Sequence, residues 1–299
     1  VLADTPAFRL VSLDWQPDHH QPLSKGQPVP ALPELDLRQP LDATTQAELR
    51  QALAVHEVLF FRDQHITPQQ QVDFTRSFGN VAEVKAFFPR LENHPEIEIV
   101  ESTAERPKAS SNWHADITWR EQPPMGCVLR CVECPPVGGD TMWVNMVMAY
   151  ENLPDDIKVK IEHLRARHSI EASFGAVMPI EKRLALKAQY PDAEHPVVRI
   201  HPETGEKILF VNSSFTTHFT NYNTPANVRF GLDKSPGSSQ LLNYLTSQAM
   251  IPEYQVRFKW RRNSVAFWDN RSTQHYAVMD YQPCHRKMER TAIIGGPTD

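Results

Sequence analysis

The chain has 299 residues, with 31 Lys and Arg against 36 Asp and Glu, a formal charge of -5, 4 cysteines, and 25 prolines beside 11 glycines. This balance offers no basic field to release counterions from a phosphate backbone, which argues against a nucleic-acid partner. No run approaches the roughly 18 to 20 apolar residues of a membrane span, so no membrane partner is expected, and four cysteines in this length do not make a disulfide scaffold.

The opening VLADTPAFRL lacks the basic start, apolar middle and small-residue cleavage pattern of a secretory signal, which predicts a cytoplasmic protein. Composition is equally compatible with a monomer or a homo-oligomer. Prolines at positions 6, 17, 22, 28, 30, 33 and 40 forbid regular helix and predict an extended N-terminal arm over 1–40, with a single domain over 41–299. Thr45 and Glu48 have capping-box spacing, and Leu49, Leu53 and His56 recur at turn-like intervals, predicting a helix from about Ala43 to Val55. Val58 to Phe61 reads as a buried strand. Thr67, Pro68 and Gln70 then supply an N-cap, a first-turn proline and a capping-box partner for a second helix ending at Gly79.

Short β-rich runs follow at Glu96 to Glu101, Asn112 to Trp119, Cys127 to Val132, Asp140 to Val144, Pro196 to His201, Lys207 to Val211, Tyr254 to Trp260, Val265 to Trp268 and Glu289 to Ile294. Helical patterns intervene at Asp155 to Leu164, Pro179 to Ala188 and Gln240 to Met250, and Thr220 to Ser239 reads as an irregular loop. Many short strands, few glycines and no GxGxxG or GxxxxGK[ST] predict a mainly β fold with flanking helices: a double-stranded β-helix, or cupin-like jelly-roll, rather than a nucleotide-binding α/β sheet.

In an extended Asn112 to Trp119 segment, alternation puts His114 and Asp116 on one face, where both could reach one metal ion. A solvated polar strand would show the same pattern, so a third ligand is needed. The strand Val265 to Trp268 stops in a polar turn before His275, which could place that ring at the mouth of a barrel. Two histidines and one carboxylate on one side of a metal leave open positions, as in non-haem Fe(II) oxygenases, whereas structural zinc closes all four. Arg286 and Arg290, four apart, share a face of the last strand, and inward-facing guanidiniums call for an anionic cosubstrate, an anionic substrate, or both; a solvated basic edge is the alternative. Thr141, after the Gly138-Gly139 turn, could support the same anion. Cys127, Cys131 and Cys134 lack a fourth ligand nearby and read as buried free thiols.

HAD at 114 to 116, GGDTMW at 138 to 143, VVRIHPETGEKILFVN at 197 to 212, FWDNRSTQHYAVMDY at 267 to 281 and RKMER at 286 to 290 together resemble the taurine dioxygenase family of iron(II)/2-oxoglutarate-dependent oxygenases, which also contains alkylsulfatases and aryloxyalkanoate dioxygenases. The resemblance runs from about Leu41 to the end. It implies Fe(II) held by His114, Asp116 and His275, with 2-oxoglutarate and O2 as cosubstrates. Thr141 and Arg286 would hold the distal carboxylate of 2-oxoglutarate, Arg290 would sit beside them at the substrate's anionic head group, and Phe174, Phe215 and Ile117 would wall the substrate pocket.

The departures concern substrate. Where taurine-specific members carry a histidine for the sulfonate and a tyrosine near the amine, this chain has Val84 and Phe87, with Lys85 one residue beyond the histidine's place. Ser110 replaces an asparagine at the amine. Fewer polar partners predict a more hydrophobic sulfonate or sulfate ester than taurine, with sulfite or sulfate released beside an aldehyde, succinate and CO2. The rival readings are an aryloxyalkanoate dioxygenase, a cupin-like metal- or anion-binding protein without turnover, and a zinc hydrolase, the last disfavoured by the absence of HExxH.

Overall fold

The computed structural model describes residues 11–12, 35–82, 88–106, 111–175, 178–223, 236–296 and 298. Most of the proline-rich arm, much of the 220–239 segment, and Val84, Lys85, Phe87 and Ser110 lie outside them.

The first helix, α1 (Ala43–His56), buries Leu49, Leu53 and His56, as their spacing predicts. Its cap differs from the expected one: Asp42, not Thr45, accepts from the Thr45 N–H at 2.7 Å, because a carboxylate one turn earlier competes for the same orphan donors. The second helix, α2 (Pro68–Arg76), starts with both bonds of the Thr67 and Gln70 capping box in place.

Among the described residues, fifteen strands in chain order carry the rest: β1 (Val11–Ser12), β2 (Val58–Phe61), β3 (Arg90–Leu91), β4 (His94–Ser102), β5 (Gly126–Glu133), β6 (Thr141–Asn145), β7 (Arg165–His168), β8 (Ala193–Pro196), β9 (Val198–Ile200), β10 (Lys207–Leu209), β11 (Thr216–Phe219), β12 (Gln255–Phe258), β13 (Val265–Asp269), β14 (Thr273–Ala277) and β15 (Arg286–Ile293). Seven form one sheet in the order β1-β2-β13-β5-β15-β4-β3. A facing sheet has the order β12-β6-β14. The two pack through Phe60, Trp143, Phe258, Trp268 and Met288, with Phe60 stacked on Phe258 at a centroid distance of 4.1 Å.

The unbroken apolar runs of β2 and β13 follow from this layering. Val58, Phe60, Ala266 and Trp268 point to the small sheet, whereas Leu59, Phe61, Val265 and Phe267 point to a second core with Leu49, Leu53, Phe74 and Phe78 of α1 and α2. Both faces of the large sheet are covered, so neither strand alternates with polar residues. The sandwich is the jelly-roll expected from the sequence, flanked by helices that include α3 (Met146–Glu151), α4 (Asp155–Ile161), α5 (Ile170–Phe174), α6 (Ile180–Gln189) and α7 (Pro236–Ser247).

Three expectations change. Asn112 to Trp119 is not a strand: only His114 makes a bridge, to His275, and a turn follows in which Ile117 takes a left-handed φ of 59°. His275 follows the expected polar turn but stands in the middle of a further strand, β14, which was not expected because Thr273, Gln274 and His275 are polar yet buried. The helix α7 begins at Pro236, inside the segment expected to be loop.

Candidate metal and anion site

His114 comes from the irregular segment, His275 from β14, and Asp116 from the turn that the His114 and His275 backbones pin through reciprocal N–H to carbonyl bonds of 3.1 and 2.7 Å. Their ligand atoms lie within 4.8 Å of one another. The Nε2 atoms of His114 and His275 stand 3.8 and 4.0 Å from Asp116 Oδ1. His114 Nδ1 bonds the Asn112 carbonyl at 2.7 Å, which makes Nδ1 the protonated nitrogen and leaves the Nε2 lone pair toward the carboxylate. Burial, reinforced by His114, pushes the His275 imidazole down to about 3, so it is neutral and able to ligate. Burial alone would raise the Asp116 carboxyl, but the guanidinium of Arg290 outweighs it and holds it ionised. Two imidazoles and one carboxylate converging from separate elements fit a divalent iron with open positions.

The Asp116 backbone is clamped by a residue that sequence reading missed. Its N–H donates to Asn270 Oδ1 at 2.7 Å, while Asn270 Nδ2 donates to the carbonyls of Asp116 at 2.9 Å and Pro124 at 3.2 Å. Asn270 is placed in turn by its neighbours. Asp269 accepts from Arg271 Nε at 2.9 Å and pairs with His201 Nε2 at 3.1 Å, and these bonds hold its carboxyl at about 2 although burial would raise it.

A second support lies under Thr118. His195 Nε2 donates to the Thr118 carbonyl at 2.7 Å, and Asn212 Nδ2 donates to the Thr118 hydroxyl at 3.1 Å. Asn212 Oδ1 also takes the N–H groups of Ser214 and Phe215; an Asn followed by two serines was the available signal for such a side-chain turn.

Burial holds His195 at about 4 against an ordinary 6.5. Between those values an unfolded chain carries the extra proton, so stability should fall as pH drops from 6.5 to 4, by up to about 3 kcal/mol from this residue. Denaturant unfolding of the metal-free protein across that window should show a shallower pH slope for His195→Gln; equal slopes would contradict the assignment.

Arg286 and Thr141, on β15 and β6, do come together. Arg286 Nη2 donates to Thr141 Oγ1 at 3.3 Å and Nε to the Gly139 carbonyl at 3.0 Å, while Trp260 Nε1 fixes the same hydroxyl at 2.9 Å. Gly138 and Gly139 both have left-handed φ, 79° and 72°, and a Cβ on Gly139 would stand 3.2 Å from Arg286 Cδ. The turn therefore needs glycine both for its conformation and for closeness to the guanidinium. Arg286 is buried, and no carboxylate among the described residues is in ion-pair contact with it; burial lowers its pKa accordingly.

Arg290 is also buried, but it is paired: Nη1 reaches both Asp116 oxygens at 2.7 Å, and Nε and Nη2 reach Glu98. Phe215 meets the His114 ring edge-on at 6.1 Å and lies 6.3 Å from Phe174. Ile117, Trp119, Ile170, Tyr190 and Phe215 form one cluster, with Phe174 and Ala82 packed against it. A cavity of ≈ 480 Å³ is lined by Ile117, Trp119, Tyr190 and Ala82 of that group, and by Arg120 and Asp192.

Residues 20–292 match the family described as taurine catabolism dioxygenase TauD, TfdA family. The chain belongs to that family. An alkylsulfatase of Acinetobacter baylyi is 34% identical over 280 residues, covering 88% of this chain and 81% of that protein. An alpha-ketoglutarate-dependent sulfate ester dioxygenase of Pseudomonas putida is 33% identical over 271 residues, 85% of this chain and 82% of its own. Among solved structures, a taurine dioxygenase from Burkholderia xenovorans superposes with a TM-score of 0.71 at 35% identity, covering 88% of this chain and 85% of that one. AAD-2 in complex with Mn(II) and N-oxalylglycine gives a TM-score of 0.72 at 28% identity over 89% and 94%. As a TauD/TfdA member the protein is an oxidoreductase of the dioxygenase class. No helix among the described residues is long and apolar enough to cross a membrane.

Proposed function

We propose that this dioxygenase takes 2-oxoglutarate as cosubstrate and oxidises a small organic anion, a sulfate ester or sulfonate, at the carbon next to its acidic group. The observation that carries the reading is Arg286: a buried guanidinium with no carboxylate partner among the described residues, beside the Thr141 hydroxyl and on the same strand as an arginine that touches Asp116. A buried cation costs free energy until an anion meets it, and the distal carboxylate of 2-oxoglutarate supplies one with the bidentate shape that guanidinium favours. His114, Asp116 and His275 would hold iron(II), which when bound supplies the redox chemistry linking O2 and the oxo acid to attack on an unactivated C–H bond.

The chain's own residues do the rest. Arg286 and Thr141 fix the cosubstrate's far end, Arg290 draws the substrate's anionic group to the Asp116 side of the site, and Phe174, Phe215 and Ile117 form an apolar wall that keeps water from the reacting carbon. Overall, one oxygen atom of O2 ends in succinate, with CO2 lost from 2-oxoglutarate, and the other becomes a hydroxyl on the substrate. On a carbon bearing a sulfate ester, that hydroxyl makes a hemiacetal-like centre that collapses to an aldehyde and sulfate.

The sulfate ester and sulfonate reading is supported by the alkylsulfatase and the sulfate ester dioxygenase among the relatives. A second reading, oxidation of an aryloxyalkanoate with release of a phenol, draws on the aromatic cluster and on a relative described as (S)-phenoxypropionate/alpha-ketoglutarate-dioxygenase, 28% identical. A panel of alkyl sulfates, sulfonates and aryloxyacids, scored by substrate-dependent succinate, separates them. Alkyl sulfates or apolar sulfonates should exceed taurine; taurine as the best substrate, or aryloxyacids ahead of every sulfur compound, would overturn the first reading.

A further inference from the structure

The guanidinium of Arg290 does not face the site unencumbered. Nε and Nη2 both donate to Oε2 of Glu98, at 3.0 and 2.6 Å. Glu98 is its directly opposed partner in the β4 and β15 ladder, so strand register rather than a mobile rotamer holds the contact. Nη1 meets both oxygens of Asp116 at 2.7 Å, and the guanidinium carbon stands 5.3 Å from the Phe88 ring centroid. Arg290, Glu98 and Asp116 are all buried. One cation thus serves two carboxylates; with Asp116 a ligand of iron(II), the charge of Glu98 still offsets that of Arg290 where the substrate's own anion is to bind.

We propose that Glu98 is a specificity-determining residue: it holds the Nε edge of Arg290 and adds a fixed negative charge beside the head-group subsite, which admits a monoanionic sulfate ester or sulfonate and rejects a dianionic phosphate monoester. The inference rests on the reading of Arg290 as the residue that meets the substrate's anionic group. Shape cannot make this distinction, because an alkyl sulfate and an alkyl phosphate are both tetrahedral and nearly isosteric. Charge can. A phosphate monoester, whose second pKa is about 6, brings a second negative charge near neutrality. At a separation of several ångströms from Glu98, in surroundings far less polarisable than water, that charge is enough for a loss of about tenfold or more in affinity. Arg290 cannot compensate, since its attraction is already divided between Glu98 and Asp116.

Calorimetric binding to the iron(II)- and 2-oxoglutarate-loaded protein without oxygen, at about pH 8, tests this with three probes: hexyl sulfate, hexyl phosphate, and hexyl methyl phosphate, a bulkier monoanion. Hexyl sulfate and the diester should bind within a few-fold of each other, and hexyl phosphate about tenfold or more weaker. Glu98→Gln, which keeps an acceptor for Arg290 without the charge, should close that gap and leave 2-oxoglutarate affinity at Arg286 unchanged. Equal wild-type binding of hexyl phosphate and hexyl sulfate, or a gap that survives Glu98→Gln, would overturn the proposal. If Glu98→Gln does not fold, the wild-type comparison of hexyl phosphate with its methyl ester decides by itself. Arg290→Gln should weaken all three probes; unchanged hexyl sulfate binding in that variant would remove the underlying reading of Arg290 instead.

Discussion

His275→Ala should lose metal binding, and turnover with it. The ring is enclosed between Trp268, at 5.1 Å between centroids, and His114, at 4.2 Å. It supplies one of only three protein ligand atoms that converge among the described residues. Removing an outer partner of a metal ligand already costs roughly 10 to 100-fold in affinity, so loss of a ligand should exceed about a hundredfold. Metal analysis of the purified variant checks this, with far-ultraviolet circular dichroism as the control for folding. A variant that retains one equivalent of iron would refute the ligand assignment. Asp116→Ala is a weaker test, because a small anion beside Arg290 can occupy the vacated carboxylate position.

Arg286→Met should raise the 2-oxoglutarate half-saturation by roughly two to four decades, the equivalent of about 3 to 5 kcal/mol for a broken buried ion pair. The same substitution should leave the cosubstrate-free protein no less stable, since it removes a buried charge that has no carboxylate in contact among the described residues. This combination is diagnostic. An arginine kept for structure would show the reverse: lower thermal stability with an unchanged half-saturation. Substrate affinity should move far less than cosubstrate affinity, because Arg290 lies two strand repeats away and has its own partners.

Where local chemistry determines structure, the sequence was readable. The Thr67, Pro68, Gln70 signal gave α2 because the cap bonds are made within three residues, and Val58 to Phe61 gave β2 because a run that is apolar on both faces fits only a doubly covered strand. The His114, Asp116, His275 cluster and the Arg286 and Thr141 contact were also expected, though the route to His114 and Asp116 was wrong. Alternation from Asn112 to Trp119 suggested a strand, whereas Asn270, some 150 residues onward, holds Asp116 in a turn that places Ile117 in a left-handed conformation. A β-branched residue rarely adopts that conformation, and only distant contacts impose it. Strands β7 and β14 were missed for a related reason. Their His168, Thr273, Gln274 and His275 are buried, with His168 bonded to Thr118 and Gln274 to the Val211 carbonyl. Glu98 and Asn270 carried no signal at all, because their roles exist only once β4 meets β15 and the polar turn after β13 meets the Asp116 segment.

The most direct test of the iron and 2-oxoglutarate site is an anaerobic titration of 2-oxoglutarate into the iron(II)-loaded protein, followed in the visible range. A chelated oxo acid gives a charge-transfer band; that band should grow to saturation at one equivalent per chain, disappear in His275→Ala, and require far higher 2-oxoglutarate in Arg286→Met. A wild-type protein that binds iron yet develops no band at saturating 2-oxoglutarate would contradict the account.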